Sequence, residues 1–180
     1  QSSSSVTIHN SSFDSNTATD SSAMIYVFEP SGDVTISYSS FDNNVATTND
    51  SNLIYIYRSI QSATISFSSF NNNNVTYGAD AIGLYECFGG TTIRNSSFDN
   101  NYATDDANMI HFHHPSEIVT ISNSSFDNNY ATDDANMIKI VQPSAMVTIS
   151  NSSFDNNAAI VGDSTILLYH SNSGEKTSSF

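Results

Sequence analysis

Two acidic pairs in the second half of the sequence have the composition of a calcium site. Asp105-Asp106 and Asp133-Asp134 lie 28 residues apart, each directly after Ala-Thr. Carboxylates placed in this way could bind Ca²⁺ together with neighbouring Asn side chains and backbone oxygens. Because only these two turns carry an acidic pair, the favoured interpretation is a solvated acidic turn, with calcium as the alternative.

Three histidines, His111, His113 and His114, form the densest group of potential transition-metal ligands. His111 and His113 alternate along a predicted strand and share its outer face. A zinc site needs three or four ligands in suitable positions, and no third or fourth ligand is in register with this pair. The histidines are therefore interpreted as exposed strand polarity, and no cofactor is predicted apart from the calcium alternative.

An aromatic column at one repeated position offers a binding surface. Its members are Phe28, Tyr57, Tyr85, His113 and Tyr169. Strand alternation predicts that they face solvent, where contiguous aromatic side chains are typical of an interface or a platform for sugar rings. Rings that stack only to reinforce the sheet are an equal alternative.

Acceptor motifs for N-glycosylation are a further candidate modification site. They begin at Asn10, Asn49, Asn74, Asn95, Asn123 and Asn151, about as many as chance gives for this Asn, Ser and Thr content. Four of them share one repeat position, three residues before a Phe. If that position faces outward, glycans would line one edge of the molecule, and if it faces inward, none can attach.

The composition excludes several classes of function. Four Lys and Arg against eighteen Asp and Glu give a net charge of −14, which opposes binding to nucleic acid or to an anionic bilayer. The apolar runs are far shorter than a membrane-spanning helix requires. Cys87 is the single cysteine, so no disulfide can form within one copy of the chain.

A repeat of about 28 residues runs through the chain and positions all of these side chains. Its most regular feature is Ser-Ser-Phe, with the Phe at Phe13, Phe41, Phe70, Phe98, Phe126 and Phe154. Three residues after each Phe comes an Asn, at Asn16, Asn44, Asn73, Asn101, Asn129 and Asn157. Residues 95–110 and 123–138 are identical, which indicates recent duplication of one structural unit.

Each repeat carries two segments in which apolar residues alternate with polar ones. One contains an Ile five residues before the Phe, as at Ile36, and the other contains a second Ile, as at Ile54. A period of two residues indicates strands. Because a unit of short strands cannot bury its own apolar residues, the units must stack about 4.8 Å apart, each strand pairing with its equivalent.

The sequence therefore predicts an all-β parallel β-helix, with residues 1–180 as one domain of six coils anchored at the six Phe residues. Phe would stack on Phe along the axis, and the Asn column would form a side-chain amide ladder. The last residues, 177–180, repeat Ser-Ser-Phe and predict the start of another coil. Such a domain is either a segment of a longer solenoid or a rod that stacks end to end.

Each coil contains Phe-x-x-Asn followed by a degenerate Gly-Gly-Ala-Ile segment, as in 78–82, and this pattern resembles the polymorphic outer-membrane-protein repeat. The resemblance covers residues 6–169. It implies a right-handed parallel β-helix of the pectin-lyase-like type and a surface adhesin role. That fold also hosts polysaccharide lyases and hydrolases, but the four basic residues, Arg58, Arg94, Lys139 and Lys176, are widely separated, so no catalytic residue is predicted.

We therefore expect a noncatalytic structural protein, extracellular or at the cell surface, that associates end to end into a filament. A low share of charged residues, 12%, and columns of identical stacked side chains favour a durable structural protein over an enzyme. A cell-surface adhesin or carbohydrate-binding module that uses the aromatic column is the alternative, and a polysaccharide lyase or hydrolase is the third. The partners expected are further copies of the chain and glycans, without nucleic acid or membrane insertion.

Overall fold

The computed structural model describes residues 4–48, 51–160, 164–169 and 176–177. All regular structure in these residues is β-strand, arranged as a parallel β-solenoid of six coils. No helix of the kind that crosses a membrane is found in these ranges. The predicted fold class, an all-β solenoid with a repeat of about 28 residues, is confirmed.

Each coil contains three strands, and a short final strand follows the sixth coil. Coils one and two contain β1 (Val6–His9), β2 (Thr17–Ala18), β3 (Ala23–Phe28), β4 (Val34–Ser37), β5 (Val45–Ala46) and β6 (Asn52–Tyr57). Coils three and four contain β7 (Ala63–Ser66), β8 (Asn74–Thr76), β9 (Asp80–Tyr85), β10 (Thr91–Arg94), β11 (Tyr102–Thr104) and β12 (Asn108–His113). Coils five and six contain β13 (Val119–Ser122), β14 (Tyr130–Thr132), β15 (Asn136–Val141), β16 (Val147–Ser150), β17 (Ala158–Ile160) and β18 (Ser164–Tyr169), and β19 is Lys176–Thr177.

Equivalent strands of successive coils pair in parallel to form three sheets. Sheet one contains the first strand of each coil, sheet two the second and sheet three the third. The pairing is in register, so that Thr35 lies opposite Thr64 and Ile36 opposite Ile65. Because parallel partners are equivalent residues, each side chain stacks on its counterpart in the next coil.

The interior is filled by these stacked columns. The phenylalanine rings of neighbouring coils are parallel, with centroids 4.8 to 5.0 Å apart. Ile36, Ile65, Ile93 and Ile121 form a second column that is fully buried. Alternation along each strand directs these apolar side chains inward, and burial of apolar area is the main force that holds the coils together.

The final strand differs from the prediction of another coil. Lys176–Thr177, strand β19, pairs antiparallel with Leu168–Tyr169 of β18. Its direction is opposite to that of every coil strand in sheet three. Phe180, on which the predicted coil depends, lies outside the described residues, and β19 occupies part of the outer edge of β18.

Candidate functional site

The two outermost coils present the interior columns at their surfaces. Phe41, Phe70, Phe98 and Phe126 are fully buried, whereas Phe13 and Phe154 are only partly buried. The same gradient holds for the strands, since β1 is half exposed where β4 is buried. Coils one and six therefore carry apolar surface and strand edges that are covered everywhere else in the described solenoid.

An aspartate ladder links the coils beside the phenylalanine column, and sequence reasoning missed it. In every coil except the third, where Asn71 replaces it, the residue after the Phe is Asp. The Asp14 carboxylate accepts the backbone N–H of Asp42 at 2.8 Å and the Ser40 hydroxyl at 2.8 and 2.9 Å. The same contacts repeat through the fifth coil, so that Asp127 accepts the Asp155 N–H at 2.8 Å. The Ser-Phe-Asp pattern, aligned by coil, would have revealed this ladder.

Hydrogen bonding to the ladder favours the charged carboxylate. Burial alone would raise the pKa of Asp14, but the donors from the Asp42 backbone and the Ser12 and Ser40 hydroxyls outweigh that effect. The pKa of Asp14 is therefore held below its ordinary value. The Asp14 carboxylate is thus ionised at neutral pH while it accepts these donors.

The asparagine column forms a second ladder of hydrogen bonds. Its donor lies in the earlier coil and its acceptor in the later coil, the reverse of the aspartate ladder. Asn16 donates its backbone N–H to Oδ1 of Asn44 at 2.8 Å, and each following pair repeats this contact up to Asn157. Amide-to-amide bonds add to it at two steps, Asn16 to Asn44 at 3.3 Å and Asn101 to Asn129 at 3.1 Å. The column therefore serves mainly to satisfy backbone N–H groups at a turn, which also explains why it has no exceptions.

A serine ladder runs in the same direction as the asparagine ladder. Ser11 donates its backbone N–H to the Ser39 hydroxyl at 3.2 Å, and the contact repeats up to Ser152. Each hydroxyl from Ser11 onward in turn donates to the carbonyl two residues earlier. Ser-Ser-Phe is thus a structural signature, because both serines and the following Asp connect neighbouring coils.

The predicted aromatic column is divided in two. Phe28 stacks on Tyr57 with centroids 5.4 Å apart, and Tyr57 lies beneath the Arg58 guanidinium. Tyr85 turns away from this line and stacks on Tyr55 at 5.0 Å. Its ring occupies the space above Gly83, where an added Cβ would lie 2.7 Å from a ring carbon. The His113 ring contacts the Tyr85 ring, with centroids 5.3 Å apart. Tyr169 is half buried on β18, opposite Val141.

Stacking also determines which part of each aromatic ring is accessible to a ligand. Tyr26 and Tyr55 are nearly parallel, with centroids 5.3 Å apart, and Tyr55 continues the stack to Tyr85. Each inner ring is thus overlapped on its faces by its neighbours and presents mainly an edge to solvent. Since sugars pack on aromatic faces, the inner rings are better suited to reinforcing the sheet than to holding a sugar.

A buried polar cluster, missed by sequence reasoning, interrupts the repeat in coils three and four. The Asp80 carboxylate accepts the Tyr85 hydroxyl at 2.6 Å and an Asn108 side-chain N–H at 2.8 Å, and His111 Nδ1 lies 3.2 Å away. Asp80 is 1% exposed and His111 8% exposed. His111 therefore does not lie on an exposed strand face as expected. The sequence signal was Asp80 between Asn52 and Asn108 in its column, and Gly83 in a column of large residues.

The other histidines line the surface next to this cluster. His113 is half buried and stacks on His114 with centroids 4.1 Å apart. Burial, and then the neighbouring His114 and His111, lower the pKa of His113, so its neutral form is favoured.

The acidic turns lie elsewhere on the coils, where the Thr104 hydroxyl is 3.3 Å from both Asp105 and Asp133. Within the ranges that the structure describes, no group of three or more His, Cys, Asp or Glu side chains is placed to hold a metal ion.

The repeated sequon position faces outward along an open groove. Asn10, Asn123 and Asn151 are exposed and Asn95 is half buried, and all four have φ near 50°. Asn tolerates this left-handed conformation better than most residues, which explains its choice without any glycan. These four residues, Tyr38 and Phe67 at the same position of coils two and three, and the two serines after each line a groove of about 1480 Å³ that spans all six coils. Asn74 is exposed on β8, and Asn49 lies outside the described residues.

The fold and its ladders define a parallel β-solenoid. Comparisons with protein-family models and with curated proteins found no match to this chain.

Proposed function

We propose that the chain is a noncatalytic structural protein, a β-solenoid rod that associates end to end into filaments, extracellular or at the cell surface. The observation that carries this proposal is the continuation of the interior columns to coils one and six. Phe13 and Phe154 are partly exposed members of a column whose other members are fully buried. Full burial of an exposed side chain of this kind contributes about 1.5 to 3 kcal/mol, and covering the part of Phe13 and Phe154 that is still exposed would contribute a fraction of that.

The polar ladders support the same role. They join every pair of neighbouring coils by contacts that depend on the repeat and not on any one coil. A second copy that continues the rod would use the same contacts. We also propose that the repeat is of the Phe-x-x-Asn type found in polymorphic outer-membrane proteins, which is consistent with an exposed surface location.

The leading alternative is a cell-surface adhesin or carbohydrate-binding module. It is favoured by Tyr26 and Phe28, which are 61% and 55% exposed in coil one, where no preceding coil of the described structure covers their outer side. Loss of glycan binding in Tyr26→Ala and Phe28→Ala on a glycan array, with Tyr77→Ala as an exposed control, would support this alternative. We propose no cofactor for either role, and calcium at the acidic turns stays a prediction.

Electron microscopy and analytical ultracentrifugation of the 180-residue chain test the filament proposal. We expect thin, unbranched fibres above a critical concentration. Because each copy carries a charge of −14, moderate salt should lower that concentration by screening the repulsion between copies. Monodisperse single rods at millimolar protein and physiological salt would contradict the proposal.

A further inference from the structure

We infer that copies join head to tail in a single register, in which coil one of a second copy continues coil six as a seventh coil would. This inference rests on the proposed self-association and specifies its direction and its contacts. The side-chain ladders have opposite donor directions and end in complementary groups at coils one and six.

The aspartate ladder ends with an acceptor at coil six and with donors at coil one. Each carboxylate accepts the N–H of the Asp and the hydroxyl of the Ser in the following coil, as Asp127 does from Asp155 and Ser153. Asp155 follows the same pattern but has no following coil among the described residues. In coil one, the Ser12 hydroxyl donates to Asp14 of its own coil, and no Asp of an earlier coil is among the described residues.

The asparagine and serine ladders end the other way round, with donors at coil six and acceptors at coil one. The backbone N–H groups of Asn157 and Ser152 are the donors that would reach a following coil, by analogy with Asn129 and Ser124. The acceptors they would need, an Asn Oδ1 and a Ser hydroxyl, are present in coil one as Asn16 and Ser11. In the described residues no preceding coil donates to these two side chains.

Four polar contacts would therefore form at the junction of two copies. Asp155 of one copy accepts the Ser12 hydroxyl and the Asp14 N–H of the second copy. Asn157 N–H donates to Asn16 Oδ1 of the second copy, and Ser152 N–H donates to its Ser11 hydroxyl. The same step places Phe13 of the second copy on Phe154, at the spacing of about 4.8 Å that the coils keep internally.

The opposite orientation would not satisfy these groups. Two coil-six surfaces would bring identical sets of groups together, so Asp155 would not meet the Ser12 hydroxyl and the Asp14 N–H of coil one in register. Two coil-one surfaces would likewise leave Asn16 Oδ1 without the N–H of Asn157. Unpaired polar groups oppose such a contact. A heterologous contact of this kind does not close on itself, so it propagates as an open filament.

The last strand competes with part of this junction. β19 pairs with Leu168–Tyr169, at the edge of sheet three where β3 of a second copy would bind. The edges of sheets one and two, β16 and β17, carry no such strand in the described residues. Removing residues 170–180 should therefore lower the critical concentration for assembly, because β3 no longer has to displace β19.

A hydrogen-bond test uses three variants at neutral pH, with sedimentation as the readout. Asp155→Ala removes the acceptor and should raise the critical concentration about tenfold or more. Asp155→Asn should assemble like the parent chain, because Asn71 already accepts the Asp99 N–H at 2.8 Å and the Ser97 hydroxyl at 3.1 Å within the rod. Glu117→Ala, an exposed charge away from the ladders, controls for charge removal. Circular dichroism checks that each variant is folded.

A crosslinking test reads the direction and register. Thr7 and Thr148 belong to one in-register column of sheet one, so the inferred junction places Thr7 of one copy opposite Thr148 of another. Neighbouring Cα atoms at that spacing are within disulfide range. A mixture of Thr7→Cys and Thr148→Cys proteins should form disulfide-linked heterodimers on oxidation, whereas neither protein alone should dimerise.

The outcomes separate the inference from the function on which it rests. If the parent chain forms no filaments, the proposed function fails. If filaments form but Asp155→Ala assembles normally, or Thr7→Cys alone crosslinks as well as the mixture, the function stands and the inferred junction is wrong. Equal weakening by Asp155→Ala and Asp155→Asn would attribute the effect to charge and overturn the ladder argument.

Discussion

The carboxylate of Asp14 accepts the backbone N–H of Asp42, one coil later in the chain, with a distance of 2.8 Å between nitrogen and oxygen. This contact recurs at each of the five steps between coils. It places a polar link beside each stacked pair of phenylalanine rings. Each pair of neighbouring coils is thus joined by both a hydrogen bond and a stacked pair of rings. The stability of a coil therefore depends on both of its neighbours.

Replacing a ladder carboxylate in the middle of the rod should destabilise it. Asp99→Ala removes the acceptor for the Asp127 N–H and the Ser125 hydroxyl, and we expect a loss of about 2 kcal/mol in the free energy of unfolding. Asp99→Asn should cost much less, since Asn71 fills the same role one coil earlier. Urea denaturation followed by circular dichroism measures both, and equal losses in the two variants would contradict the ladder's role.

Acid should weaken the contact between coils one and two through Asp14. The pKa of Asp14 is lowered in the folded chain, so its contribution is fully present above the unfolded value of about 4 and is lost as pH falls through the lower folded value. Urea midpoints measured from pH 7 to pH 2.5 should decline below about pH 4. Asp14→Asn should show a shallower decline, and an identical profile would argue against Asp14 as a contributor.

The phenylalanine column should be most sensitive at its centre. Phe98→Ala leaves a cavity between two neighbouring rings, and we expect a loss of about 3 to 5 kcal/mol. Phe13→Ala should cost clearly less, because Phe13 is only partly buried and has one ring neighbour in the described chain. Denaturant unfolding of both variants gives the comparison, and equal losses would count against the burial gradient.

The buried cluster in coils three and four should depend on the Tyr85 hydroxyl. Tyr85→Phe removes a donor from a carboxylate that is 1% exposed, which should cost about 1 to 3 kcal/mol. Tyr77→Phe is the matched control, since Tyr77 is 60% exposed, and should change the free energy of unfolding by less than about 0.5 kcal/mol. Thermal unfolding of both proteins measures the difference, and equal shifts would remove the special role of Tyr85.

The single thiol should be unreactive in the folded chain. Burial raises the pKa of Cys87 to about 11, against a smaller opposing effect of the Ser59 backbone. The nucleophilic thiolate is therefore scarce at neutral pH, and the sulfur is also shielded from reagents. We expect negligible labelling by iodoacetamide in native buffer and full labelling in 6 M urea, with mass spectrometry as the readout. Rapid labelling of the native protein would show that coil three opens readily.

Much of the fold could be predicted because the repeat is regular. The recurrence of Phe98, Asn101 and Ile93 at one spacing leaves stacking in register as the arrangement that buries every apolar side chain. The aspartate ladder was missed, although Asp99 follows Phe98 in the same pattern, because an exposed Asp in a turn has an ordinary interpretation. His111 was placed wrongly since strand alternation gives the face of a side chain but not the neighbours that cover it.

The sequence alone determined the number of coils, their spacing and the identity of the stacked columns, because these follow from periodicity and from the burial of apolar area. Tertiary structure alone decided that Tyr85 leaves its column, that Asp80 lies buried beneath it, and that β19 pairs antiparallel with β18. Those features depend on side chains from different coils competing for one space. Gly83 provides that space, and periodicity cannot say which neighbour fills it.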